Sequence, residues 1–258
     1  MTILNVAYPF APVSPDAIGG AEQVLAMLDQ GLVTGGMESI VLAAKGSFAS
    51  GALIEGPANQ KIDDNVRHRV YRDYARLIAE AITERQIDLV HMHGLDFAQY
   101  MPDTTVPVLV TLHLPFDYYG RLPVCRPRLP VFNAVSEWQH QRCPSGLRAE
   151  LICNGVDLDI LSPTAEKADF VLMLGRICPE KGFHLGLQAA AAVGITCLLA
   201  GQIYGYADHQ NYFEREIRPR LDRQRRFIGP VGGKRKRRLL SAAKCLLIPS
   251  QVAELVHW

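Results

Sequence analysis

The chain of 258 residues is 48% hydrophobic and 21% charged, with a formal net charge of +1, which allows one large or two ordinary domains and gives no bulk electrostatic reason to bind nucleic acid or an anionic membrane. Six cysteines lie scattered without a Cys-x-x-Cys pair, so a disulfide framework or zinc site is disfavoured and reduced, mostly buried thiols in a cytoplasmic protein are expected. The start of the chain lacks a basic segment followed by a long apolar one, and no apolar run approaches the ~20 residues that span a bilayer, so neither a signal peptide nor a transmembrane segment is expected.

Residues 3–7 read as a short apolar strand. A proline-rich loop follows and closes at Gly19 and Gly20, where Ala21, Val24, Leu25, Leu28 and Leu32 take up helical spacing until Gly35 and Gly36 stop it. A second strand is predicted over 40–42. Paired glycines opening a helix let backbone approach a ligand closely, because no Cβ intervenes. The dinucleotide fingerprint Gly-x-Gly-x-x-Gly is absent, which argues against an oxidoreductase. Leu77, Ile78, Ala81 and Ile82 mark the next helix, ending near Arg85.

Three strands are then predicted in succession, over 88–94, 106–111 and 131–135. Each turns polar at its carboxyl end, at His91 and His93, at His113, and at Ser136, which can cap a short helix. Their polar ends should meet at one sheet edge. The three histidines invite a metal reading, but no nearby carboxylate or cysteine completes a set, so no metal is expected and His113 is read as facing a ligand.

Residues 154–168 contain an Asn-Gly dipeptide and a proline and read as a linker. The predicted domains are therefore 1–153 and 169–258. A second alternation follows: strand 170–174, helix 183–193, strand 196–200, a polar helix near 211–221, strand 226–228, a helix through Leu239 and Leu240, and strand 245–248. Strands alternating with helices of this length give an α/β fold with two Rossmann-like domains. Between strand 170–174 and its helix, Gly175 ends the strand and Arg176 and Lys181 add two positive charges where a helix amino terminus points outward, which asks for a phosphate or diphosphate. The segment 229–234 is one residue short of a P-loop and lacks its Ser or Thr. The basic run 234–238 reads as a solvated helix face.

Six places bring the chain close to a known family: Gly19-Gly20-Ala21-Glu22, His91-Met92-His93-Gly94, Thr111-Leu112-His113, residues 152–157, residues 174–182, and Ile248-Pro249-Ser250. In this order the chain resembles the retaining, nucleotide-sugar-dependent glycosyltransferases of GT-B fold, the "glycosyl transferases group 1" (family 4) type. The resemblance implies two facing Rossmann-like domains with a nucleotide-sugar in the cleft between them, and hexosyl transfer to an unknown acceptor with retention of configuration. It implies that Arg176 and Lys181 clamp the diphosphate, that Gly19 and Gly20 bring backbone N–H groups to the same phosphates, and that His113 lies near sugar and acceptor. It also implies that no metal or other cofactor is needed. In the family the Pro-Ser element leads to a glutamate, seven intervening residues and a second glutamate; Glu254 matches the first, and the chain stops at Trp258 without the second. The expectation is a carboxyl-terminally truncated relative with an incomplete second domain and impaired activity, the alternative being a non-catalytic nucleotide- or sugar-binding remnant.

Overall fold

The computed structural model describes residues 1–17, 19–58, 63–120, 122, 130–159, 162 and 165–252. The described residues divide into two compact units, one built from residues 1–156 and the other from residues 157–252. Among the described residues each unit has one parallel sheet.

The first unit runs β1 (Thr2–Val6), α1 (Gly20–Thr34), β2 (Glu38–Ala43), β3 (Ala52–Glu55), α2 (Asp64–Glu84), β4 (Leu89–Met92), β5 (Val108–Leu112), β6 (Val131–Ala134), α3 (Glu137–His140) and β7 (Ala149–Leu151). The sheet order is β3-β2-β1-β4-β5-β6-β7. Strand order reverses between β1 and β4, and the crevice outside the carboxyl ends at such a reversal is where open α/β sheets bind ligands. Alternation along the strands sends Ile40 and Leu42 to one face and Val41 and Ala43 to the other. Leu25 and Ala26 of α1 pack on the Val41 face, and Val70, Tyr74 and Ile78 of α2 pack with Leu4, Val6, Ile40 and Leu42. Helix α1 is also tied down by polar bonds: Asn5 Nδ2 donates to Ser39 Oγ at 3.0 Å, and Ser39 Oγ donates to Asp29 Oδ1 at 2.6 Å. With Asp29 1% exposed, this fixes the helix that starts at the switch point.

Helix α2 begins well before the predicted apolar stripe. Asp63 caps it, its carboxylate accepting from the Val66 N–H at 2.9 Å. Its first turns are charged, and only Val70 and Tyr74 are buried there, so the periodicity is too sparse to see. Strands β3 and β7 were not predicted. They are short edge strands, partly exposed, and such edges carry a weak apolar signal.

The second unit contains β8 (Phe170–Leu174), α4 (Phe183–Ala192), β9 (Thr196–Ala200), α5 (Ala207–Tyr212), β10 (Arg225–Phe227), α6 (Gly233–Ala242) and β11 (Cys245–Leu246), in the sheet order β10-β9-β8-β11. The predicted strands over 170–174 and 196–200 coincide with β8 and β9, whereas β11 is shorter than the predicted 245–248. Phe183, Leu187 and Ala190 of α4 pack against Val171, Met173 and Leu199. Leu239 and Leu240 of α6 pack with Leu172 and Leu198 on the other face. The predicted polar helix starts at α5 and continues through a π turn, Phe213–Ile217, and a 3₁₀ turn, Arg218–Arg220.

Burial of the thiols is less general than predicted. Cys178 and Cys197 are buried, Cys143 is half-buried, and Cys153 and Cys245 are exposed. No helix among the described residues is long and apolar enough to cross a membrane.

Candidate functional site

Each unit brings sequence-predicted residues to the carboxyl edge of its sheet. In the first unit β4 and β5 are paired neighbours, and His93 and His113 each stand one residue past the strand end. His93 Nδ1 and His113 Nε2 lie 3.0 Å apart and share a proton, with the rings stacked at 5.3 Å between centroids. His91 lies beneath, its Nε2 2.7 Å from Thr111 Oγ1 and its ring 4.0 Å from that of His93. Burial pushes the imidazoles down, to about 4 for His91 and about 3 for His113, and His93 well below the usual range, the neighbouring histidines adding repulsion at His93 and His113. All three are therefore neutral at neutral pH and act as hydrogen-bonding groups, not as cations. Among the described residues no group of three or more His, Cys, Asp or Glu side chains is placed to hold a metal ion.

The backbone around His113 is held by a residue that the sequence reading did not single out. Gln139 is fully buried, and its Nε2 donates to the carbonyls of Leu112 at 2.9 Å and Leu114 at 2.8 Å, one residue to each side of His113. Its Oε1 accepts from the Val135 N–H at 2.8 Å, joining the exits of β5 and β6. Ser136 caps α3 as predicted, accepting from the Gln139 N–H at 3.3 Å. A glutamine three residues after a capping serine is a capping-box pattern. Here the side chain serves the neighbouring strand ends instead.

Helix α1 starts at Gly19, which offers no side chain to cap it. A Cβ at Gly19 would fall 1.8 Å from Glu22 Oε2. Glu22, 8% exposed, folds back over the helix start, and burial raises its carboxyl above the usual range, only partly offset by a bond from its own N–H. The small residue at 19 thus admits this carboxyl, while nothing lies within 4 Å of a Cβ at Gly20. A glutamate three residues past the cap is again the sequence signal that could have found it.

In the second unit β8 ends at Gly175, whose N–H donates to the Ala200 carbonyl at 3.1 Å, and the loop then carries Arg176 and Lys181 towards α4. Gly182 caps α4 at φ 61°, and a Cβ there would sit 2.2 Å from the Pro249 carbonyl oxygen. The loop is further held by Gln251, whose N–H donates to the Glu180 carbonyl at 2.8 Å. Arg176 is exposed and Lys181 half-buried. Partial burial opposes the Arg176 charge, but the Cys178 thiol, Glu180 and Tyr204 more than offset it. One α4 amide is already taken: the His184 N–H donates to the Tyr212 hydroxyl at 3.2 Å, so the first turn is less open than its lack of a capping side chain implied. A groove opens beside the loop, lined by Pro179, Glu180, Tyr206, His209, Tyr212 and Arg215. Glu254 lies outside the described residues.

An exposed and a half-buried cation on this loop can neutralise an anion, and the neutral His113 imidazole on a braced strand edge can orient a hydroxyl or phosphate oxygen. The model of glycosyltransferase family 4 matches residues 18–160. No curated protein sequence matches the chain. Among solved structures it is similar to AviGT4, a glycosyltransferase involved in avilamycin A biosynthesis, at 24% identity over 98% of this chain and 71% of that one, with a TM-score of 0.69. It is also similar to Anabaena HepE in complex with UDP and glucose, at 16% identity over 98% of this chain and 75% of that one, TM-score 0.68. The catalytic domain of starch synthase IV from Arabidopsis thaliana, bound to ADP and acarbose, matches at 15% identity over 100% of this chain and 80% of that one, TM-score 0.72. At these identities the structural likeness is one of fold, two Rossmann-like α/β units of the GT-B kind.

Proposed function

The chain belongs to glycosyltransferase family 4, and from that membership we propose that it moves a hexosyl group from a nucleotide-sugar to an acceptor hydroxyl with retention of anomeric configuration. The observation that carries this reading is the loop at the end of β8, where Arg176 and Lys181 lead into the amino terminus of α4. In the reaction the bond between the anomeric carbon and the leaving phosphate oxygen breaks, and the acceptor oxygen bonds to that carbon. The acceptor proton passes to the departing diphosphate, which leaves from the face the acceptor enters. Negative charge grows on the diphosphate as the bond breaks, so fixed cations stabilise the transition state more than the ground state. Arg176 and Lys181 take that role, with the Gly175 turn positioning the loop and no metal ion required. The first unit's His113 contacts sugar and acceptor, and the backbone at Gly19 and Gly20 approaches the phosphates. Glu254 is assigned to the ribose or sugar of the donor.

The relatives captured with UDP and with ADP support a nucleoside diphosphate as the leaving group and leave two bases to compare. The test is incubation of the purified chain with UDP- and ADP-hexoses and a panel of sugar acceptors, following nucleoside diphosphate release and the anomeric proton of the product. Release coupled to a product of the donor's own configuration, unchanged by EDTA, is expected. A product of inverted configuration, or turnover that EDTA abolishes, contradicts the respective part of the reading.

A further inference from the structure

The hydrogen bond between His93 and His113 has two protonation patterns, and they present different chemistry at the strand edge. If His113 Nε2–H donates, neutral His93 must carry its own proton on Nε2. That nitrogen is buried and has no hydrogen-bond partner among the described residues. The His93 residue lines a crevice with Tyr8, Val13, Glu22 and Leu25 that has no room for a water molecule. Glu22 turns its carboxyl back over Gly19. An N–H there would be an orphaned buried donor, which folded proteins rarely tolerate. If His93 Nδ1–H donates instead, Nε2 is a bare ring nitrogen and His113 must carry its proton on Nδ1. His113 is partly exposed, so an N–H on its Nδ1 can meet solvent or a ligand.

We propose that His93 is a positioning residue: by donating its Nδ1–H to His113 Nε2 at 3.0 Å, it holds His113 in the Nδ1–H tautomer, so that the edge presents an N–H donor to an oxygen of the bound donor substrate. His113 then steadies a phosphate or sugar oxygen and does not act as a base. The catalytic consequence rests on the glycosyl-transfer reading above; the tautomer does not. Burial keeps both rings neutral, so one proton occupies this bond across the working pH range.

The test is long-range ¹H–¹⁵N NMR of the intact chain labelled in histidine, with His113 assigned by its loss in His113→Gln. The proposal expects His113 as Nδ1–H in the unmodified protein; finding it as Nε2–H overturns the proposal whether or not transfer is observed. Adding UDP and then UDP-glucose separates the two sources of the oxygen. A shift of the Nδ1–H signal with UDP assigns it to phosphate, a shift only with UDP-glucose assigns it to the sugar, and no shift with either overturns the contact. His93→Leu removes the bond and is expected to release His113 to the other tautomer and lower kcat about tenfold at unchanged donor KM, while His93→Gln, whose amide can still donate, restores most of both. Unchanged kcat in His93→Leu with the tautomer displaced also overturns the proposal.

Discussion

The two strand edges differ in how they carry charge. In the first unit, charge is removed: His91 and His93 are buried, His113 is neutral, and Gln139 pins the carbonyls on both sides of His113. In the second, charge is displayed: Arg176 is exposed, Lys181 half-buried, and the loop is fixed through Gly182 and Gln251. A neutral, braced edge fixes direction, because its hydrogen bonds have set geometry and little range. A cationic loop fixes affinity for an anion, because charge-assisted bonds are roughly twice as strong as neutral ones.

That division can be broken experimentally. The largest effect is expected from Arg176→Ala, which removes a cation proposed to act on the leaving group; kcat/KM should fall about 10²–10³-fold. A fall confined to KM would show that the cation binds donor and transition state alike. Next comes Gly182→Val. A side chain there must adopt an unfavourable positive φ and meets the Pro249 carbonyl, so a loss on the order of 1–3 kcal/mol is expected in chemical denaturation. A variant as stable as the parent would mean that the loop is not held as described.

A change of pH sharpens the neutral side. An unfolded histidine takes up a proton near pH 6.5, whereas folded His91 and His113 resist until about 4 and about 3. Below the unfolded value the unfolded state binds more protons, so this contribution to stability is fully present above pH 6.5 and is lost as pH falls towards the folded values. Each of these histidines should cost on the order of 1 kcal/mol per pH unit in that window. The thermal midpoint should therefore drop between pH 6.5 and pH 4, and less steeply in His91→Asn; equal slopes would place the acid sensitivity elsewhere.

The cationic edge was the more legible of the two in the sequence. Strand β8, the glycine that ends it, and the spacing of Arg176 and Lys181 are contiguous, so local pattern is enough to see them. The histidine edge depends on register. His93 and His113 are 20 positions apart and touch only because β4 and β5 pair with His91 opposite Leu109. Gln139 was invisible for the same reason, since its partners at Leu112 and Leu114 belong to another strand exit. Tyr212, which occupies an α4 amide, lies 28 residues from His184. Short edge strands β3 and β7 were missed because half-exposed strands lack an apolar run.

The most direct test of the account is calorimetric titration of UDP and ADP into the unmodified chain and into Arg176→Ala, Lys181→Ala and His113→Ala. The account predicts binding of at least one nucleoside diphosphate, weakened about 10–100-fold by loss of either cation and changed much less by loss of His113. Binding that survives both cation substitutions, or is absent from the unmodified chain for every nucleoside diphosphate tried, would contradict it.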